Sequence, residues 1–304
     1  MAFAAFSSGS SNKNSGTPAK TGPIVLALLL PGLIYLGFFF FIPLVSLIQS
    51  SLEKRISAPT VHFEFAWYWQ NYVTVLSRYE PQILRSFTYA FVATIIALLI
   101  SYPLAYYIGV KVRHRPMLQR ILVTLVIAPF FISFLLRTIA WKQMLDDHSA
   151  VVTFLKSIGI LSPTQPFIGS SAAVVFGLIY NFIPFMTLPL YTTLERLDIR
   201  YLEAGADLYA SPAKVFRKVT LPISMPGVIS GTLLTFIPIS GDYVNASQDF
   251  LGSQKTSMMG TMVVQDQLVT NNPQTATALS VLLMGIILVL ITIYVRRAGT
   301  EELL

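Results

Sequence analysis

Residues 203–222 read EAGADLYASPAKVFRKVTLP. The stretch is polar and charged, yet apolar runs flank it at about 171–193 and 223–241. A chain that joins two lipid-soluble runs through such a segment leaves the membrane and re-enters it. The local signals inside it are helical. Asp198 is placed to cap a first short helix through IRYLEAGADLY. Ser211 followed by Pro212 starts a second, with serine at N-cap and proline at the first helical position. That second helix is expected over about 212–220, with Val215, Phe216 and Val219 on one side and Lys214, Arg217 and Lys218 on others. Leu221 precedes Pro222, and a residue before proline avoids the α region, so the helix is expected to stop there. Two short helices with an apolar face and no core of their own need a surface. Lipid headgroups and a partner protein both fit.

The composition agrees with a membrane setting. Only 12% of the 304 residues are charged, against roughly 25% in soluble domains, and 54% are hydrophobic. That much apolar surface needs lipid to cover it. The absence of cysteine excludes disulfides, thiolate metal sites and cysteine nucleophiles. His62, His114 and His148 are widely spaced, so no metal site is expected. The net charge of +7 fits the inner ends of membrane helices better than nucleic acid. Residues 1–20 are rich in Ser, Gly and Asn and are expected to form a disordered cytoplasmic tail. The apolar run that follows is too long for a cleaved signal and is expected to stay as an anchor.

Charges punctuate the rest. None lies between Lys20 and Glu53, Arg85 and Lys111, Lys218 and Asp242, or Asp266 and Arg296. With two further runs, six spans are expected near 24–50, 86–110, 119–141, 171–193, 223–241 and 276–296. Each is long enough for a helix to cross a bilayer and too long for a barrel strand. More than half of the 21 Lys and Arg fall on one side if the N-terminus is inside, most clearly in KVRHRPMLQR (111–120). Both termini and the 203–222 segment are therefore expected in the cytoplasm. The outer HFEFAWYWQNY (62–72) suits either a membrane interface or a packing patch. Prolines such as Pro129, Pro184 and Pro238 either kink helices around a gate or are merely tolerated in lipid.

The 203–222 segment resembles the "EAA" coupling loop of ABC importer permeases. Glu203 and Ala204 match the pattern, Gly205 replaces its second alanine, and Leu221-Pro222 follow at the right distance. Ala210 and Ser211 also match, but Tyr209 stands where that family has glycine. A side chain there predicts negative φ at Tyr209, with the ring free to help dock a partner. PFFISFLLRTIAW (129–141), GLIYNFIPFMTLPLYTTLERLD (177–198), LPISMPGVISG (221–231) and GDYVNASQDFLG (241–252) resemble the first permease of spermidine/putrescine importers. The likeness covers about 65–297.

The resemblance implies an all-α integral membrane protein of six transmembrane helices with the type I importer fold. The permease domain would span 21–304, with the shared transmembrane core at about 80–297. It implies a prokaryotic plasma-membrane complex with a second permease, two cytoplasmic ATPase subunits and an extracytoplasmic binding protein. In it Glu203, Ala204, Gly205, Asp207, Tyr209, Ser211, Val215, Phe216, Leu221 and Pro222 would form the ATPase-coupling loop. Glu203 would pair with a basic residue of the ATPase, and Val215 and Phe216 would fill an apolar pocket there. No cofactor is expected in this chain; ATP and Mg would belong to the ATPase. The residues agree, since GSQKTSMMG (252–260) has Gln254 where a P-loop needs glycine.

Ionisable groups at membrane depth are functional by default. Arg137 lies near the outer end of the third span, and Asp242 follows the fifth. Carboxylates and aromatic faces suit a polyamine through ion pairing and cation–π attraction, which makes Asp242, Tyr243, Tyr180 and Phe185 pathway candidates. Asp242 serves equally as a helix cap, and the aromatics as packing. A permease of the same fold for a phosphonate, thiamine or iron chelate is the nearest alternative. An ion-coupled transporter would need midplane charges and inverted repeats, and an enzyme a catalytic constellation; the sequence offers neither.

Overall fold

The computed structural model describes residues 22–56 and 62–298. The expected tail at 1–20 lies outside them. Two compact units result, divided between Leu47 and Ile48. The first holds α1 (Gly22–Leu36), a π-helical turn at 37–41 and the start of α2 (Ile42–Ser51). The turn precedes Pro43, whose missing N–H an α-helix would leave as a gap in the ladder.

The second unit opens with a hairpin of β1 (Glu53–Ile56) and β2 (His62–Phe65), antiparallel with Glu53 opposite Phe65. After it come α3 (Gln70–Tyr106), α4 (Pro116–Ile127), α5 (Phe134–Met144), α6 (Ala150–Ser157) and α7 (Ser171–Glu195). The loop end holds α8 (Arg200–Asp207), α9 (Pro212–Val215) and α10 (Leu221–Ile223). The chain then returns through α11 (Met225–Ser240), α12 (Met259–Leu268) and α13 (Pro273–Ala298).

Four helices among the described residues are long and apolar enough to cross a membrane, and the total is six when each of two bent pairs is counted as one span. The expected spans are therefore present, with three corrections. The second is preceded by a further helical stretch from Gln70, so that helix runs to Lys111 through the charges Arg78, Glu80 and Arg85. It is kinked at Tyr79, two residues before Pro81. The third is broken: α4 and α5 meet at 94°, across Ile132 and Ser133 in extended backbone. The fifth begins in the coupling segment, since Pro222 does not stop its helix. A π turn at 216–220 absorbs the proline, and the 65° bend falls between Ile223 and Met225 instead.

The core forms where α3, α7 and α11 pack on one another. Lipid gives helices no hydrophobic reason to associate, so close approach and interhelical hydrogen bonds must hold them. Ser86, Ala90, Ala93, Ala97, Ser101 and Ala105 make a fully buried small-residue seam along α3. On α11, a Cβ at Gly227 would lie 2.7 Å from Thr193 Oγ1, and one at Gly231 3.0 Å from Met186 Sδ. Hydroxyls tie the seam: Thr187 Oγ1 donates to Ser101 Oγ at 2.9 Å, and Tyr102 Oη lies 2.6 Å from Ser224 Oγ. Beyond α11, α12 and α13 close against α3 around Asp266. This buried carboxylate accepts from the hydroxyls of Tyr79 (2.7 Å), Thr275 (2.9 Å) and Thr270 (3.1 Å).

Candidate functional site

The 203–222 segment forms two short helices. Asp198 Oδ1 accepts from the Arg200 N–H at 3.0 Å just ahead of α8, and Ser211 with Pro212 starts α9. The Ser211 hydroxyl makes no capping bond; its carbonyl accepts from Lys214 at 2.8 Å. Gly205 faces the second helix: a Cβ there would lie 2.9 Å from Val215 Cγ2. Glycine in place of alanine therefore lets α8 sit close on Val215. The Phe216 ring lies edge-on to Tyr102, centroids 5.4 Å apart. Phe216 thus ties the loop to α3, while Val215 holds the two loop helices together. The outward face presents Glu203, Ala204, Asp207, Leu208 and Tyr209, all exposed. Leu221 is half-buried against the core and Pro222 is exposed.

Tyr209 overturns the expectation of negative φ. Its φ is +56° and its side chain is 98% exposed. The Ala210 N–H bonds Gly205 O at 3.1 Å and the Tyr209 N–H bonds Ala206 O at 2.9 Å. This is a Schellman ending, whose C′ residue must be left-handed. The left-handed turn, which favours glycine, is kept here with a tyrosine in it. Tyr209→Gly should therefore stabilise the loop by about 1 kcal/mol. Hydrogen exchange at Ala210 and the thermal midpoint of the purified permease measure this. Faster exchange in the glycine variant would contradict it.

A second site lies between the start of α5, the middle of α7 and the end of α11. There, a cavity of about 410 Å³ is lined by Arg137, Asn181, Asp242, Phe185 and Tyr243, among others. Its aromatic wall runs from Phe130 to Phe185 (4.9 Å), Phe182 (5.9 Å) and Phe134 (6.0 Å). The guanidinium of Arg137 lies 5.8 Å from the Phe134 centroid. The break between α4 and α5 turns Arg137 into this wall.

Three of the four pathway candidates, Asp242, Tyr243 and Phe185, meet here. Tyr180 does not line the cavity; its ring packs edge-on to Trp141 at 4.9 Å. Asp242, two residues beyond α11, is also a cap. Its Oδ1 accepts from the Asn245 N–H at 2.8 Å and its Oδ2 from Asn245 Nδ2 at 3.0 Å. Burial pushes its carboxyl up to about 6, against the lowering effect of hydrogen bonds from Asn245 and the Ala246 and Val244 backbone. Asn245 Oδ1 in turn accepts from Asn181 Nδ2 at 3.1 Å, and Asn181 also donates to Thr138 Oγ1 at 3.3 Å.

Sequence reasoning noticed Arg137 near the end of the third span without assigning it to the pathway. It missed Asn181 and Asn245. The signal for Asn181 was a carboxamide in the middle of an apolar span, where a polar group must find partners. Lys255 lies in a short 3₁₀ turn closed by a Ser253–Thr256 capping box, a geometry unrelated to a phosphate loop.

Broken spans around a cavity walled by phenyl rings with a few polar groups, joined by two packed helices to an exposed two-helix loop, define a solute permease of the type I importer class. The chain belongs to the family of binding-protein-dependent transport system inner membrane components, whose pattern matches residues 97–299. It is 34% identical over 279 residues to the spermidine/putrescine transport system permease protein PotB of Haemophilus influenzae, covering 91% of this chain and 94% of that one. It is 32% identical over 230 residues to PotB of Escherichia coli, covering 75% and 81%. Among solved structures, a bacterial ABC transporter that imports the acidic polysaccharide alginate superposes with a TM-score of 0.66 at 17% identity, covering 92% of this chain and 96% of that one. The methionine transporter MetNI superposes at 0.56 and 20% identity, covering 74% and 95%. These likenesses concern the fold.

Proposed function

We propose that this chain imports polyamines as one of two permeases in an ATP-driven complex, with the 195–222 loop on the cytoplasmic side. One observation carries the reading: the loop and the cavity share two packed helices. α7 carries Asn181 and Phe185 and runs into α8, and α11 leads from the loop to Asp242. Asn181 lies roughly 21 Å along the axis from Glu195, at 1.5 Å rise per residue. A shift of the loop is therefore felt at the cavity through helices too tightly packed to bend independently.

In this reading two cytoplasmic ATPase subunits hold ATP and Mg, and one grips the outward face of α8. A binding protein delivers the solute from outside, in the plasma membrane of a prokaryote. The relatives named for spermidine and putrescine supply the substrate class. Labelled spermidine should enter proteoliposomes that hold the complete transporter and binding protein, only when ATP is present on the loop side. Uptake without ATP, or with ATP on the opposite side alone, would reject the reading.

A further inference from the structure

A third helix, α4, also joins the base of the 195–222 loop to the cavity. Arg113 Nη1 donates to Leu197 O at 2.7 Å. Leu197 is buried and lies just beyond the end of α7, where helix carbonyls lack partners and a cation is favoured. Gln119, buried near the start of α4, donates through Nε2 to Glu195 Oε1 at 3.4 Å, and Tyr191 Oη donates to the same oxygen at 2.6 Å. The π turn at 107–111 closes the junction: a Cβ at Gly109 would lie 3.2 Å from Glu195 N, so that turn sits directly on the backbone at the end of α7. The start of α4 is thereby fixed to the base of the loop. Its far end runs into the 3₁₀ turn at Ala128–Phe131, where Phe130 meets Phe185 and lines the cavity. Gln119 is beside Glu195 and Phe130 beside Phe185, so α4 and α7 run antiparallel from loop to cavity.

Of the three connections, α4 is the stiffest. Pro184 and Pro189 remove donors from the ladder of α7 between the cavity and the loop, and the 65° bend separates α11 from the loop. After Pro116 at its first position, α4 has neither proline nor glycine. Its 12 residues span roughly 18 Å at 1.5 Å per residue. Between its ends Ile121 and Leu125 are exposed, so the bundle does not brace that face against a tilt. We infer that Arg113 and Gln119 are positioning residues for transport. They clamp α4 to the loop, α4 moves with the loop as a rod, and the displacement arrives at the corner with α5, where Phe130 borders the cavity. The extended backbone at 132–133 lets that corner turn without unwinding either helix. Neither side chain lines the cavity; both act through Leu197 and Glu195. The inference rests on the reading of 195–222 as the ATPase-coupling loop and not on the identity of the solute.

Solute moved per ATP hydrolysed separates positioning from folding, because a loss of folded molecules lowers both rates together. The measurement uses the complete transporter and binding protein in proteoliposomes, with labelled spermidine. Arg113→Met keeps the length of the stem and loses the donor. ATPase assembly and hydrolysis should persist, while spermidine moved per ATP falls about tenfold, as losing a charge-assisted hydrogen bond predicts. Arg113→Lys can still donate to Leu197 O and should recover most of the ratio. Gln119→Met should lower it less, since its bond is the longer one. A second readout needs no solute. The chain has no cysteine, so spin labels at L125C on α4 and L288C on α13, both exposed positions, report one distance. That distance should change when ATP is trapped in the complex, and the change should vanish with Arg113→Met. An unchanged ratio in Arg113→Met, an equal fall of transport and hydrolysis, or a label distance insensitive to ATP with Arg113 intact would overturn the inference. Should Arg113→Met not fold, Gln119→Met and the label distance with Arg113 intact still decide. Spermidine uptake by Arg113→Met at the unaltered ratio would sink this inference alone. No spermidine uptake alongside an ATP-driven label shift that Arg113→Met abolishes would sink the polyamine reading alone.

Discussion

Glu203→Ala should leave the membrane bundle folded and cut the affinity of the ATPase subunits roughly 30-fold, the equivalent of about 2 kcal/mol. Glu203 lies in the first turn of α8, is exposed, and meets no ion-pair partner within the described residues. Its removal therefore costs the fold little. Its surroundings suit a docking anchor: Ala204 beside it is short, and Leu208 and Tyr209 at the end of the same helix are almost wholly exposed. Apolar contacts flanking one charge is the pattern of an interface whose affinity concentrates in few residues. Truncating one member of a buried interfacial charge pair costs about 2 kcal/mol or more. Co-purification and ATPase stimulation in the reconstituted complex give the answer. Val215→Ala is the control, because Val215 packs under Gly205 rather than outward. It should lower the thermal midpoint of the permease more than its affinity for the ATPase. Undiminished assembly with Glu203→Ala would remove Glu203 from the docking face.

The spans were readable in the sequence because lipid imposes one strong rule: charge stays out of it. Gaps between charges marked the helices that enter and leave at Lys111, at Glu195 and near Arg296 to within a turn or so. The same rule is silent on direction. Residues 121–136 carry no charge, and hydropathy does not distinguish one straight helix from two helices at 94°. Pro129 was a cue, but the turn depends on the extended residues at 132–133, which no local propensity dictates. Pro222 misled for a related reason. Proline breaks an α-helix by depriving it of a donor, and a wider turn ahead of it removes the conflict. Trp67 and Trp69 are exposed, which favours an interface over a packing patch within this chain. Of the candidate site, Asp242 was legible because it ends an uncharged run. The amide relay behind it was not, because Asn181 and Asn245 lie 64 residues apart and only the packing of α7 brings them together.

That relay yields the second large effect. Asp242→Asn is nominally conservative, but here it is not. A carboxylate accepts both from the Asn245 backbone and from its Nδ2. A carboxamide has one oxygen, so its NH₂ must face the donor Nδ2 of Asn245. Either that contact is lost or Asn245 turns over and meets Asn181 donor to donor. A buried donor left unpaired costs about 1–3 kcal/mol. Asn245→Asp alone should be worse, since two buried carboxylates would then share one turn. The double exchange, Asp242→Asn with Asn245→Asp, restores every bond. The carboxamide introduced at position 242 would accept from the backbone N–H through its oxygen. Its NH₂ would donate to the carboxylate introduced at position 245, whose second oxygen accepts from Asn181. The pair should therefore recover most of the thermal stability lost by either single change, with a coupling of about 2 kcal/mol between two residues in one network. Thermal unfolding of the four proteins in detergent supplies the cycle. If the single changes are additive, the relay is not the scaffold of the cavity. If Asp242→Asn alone is as stable as the unaltered protein, Asp242 is free of the turn and its carboxylate faces solute only.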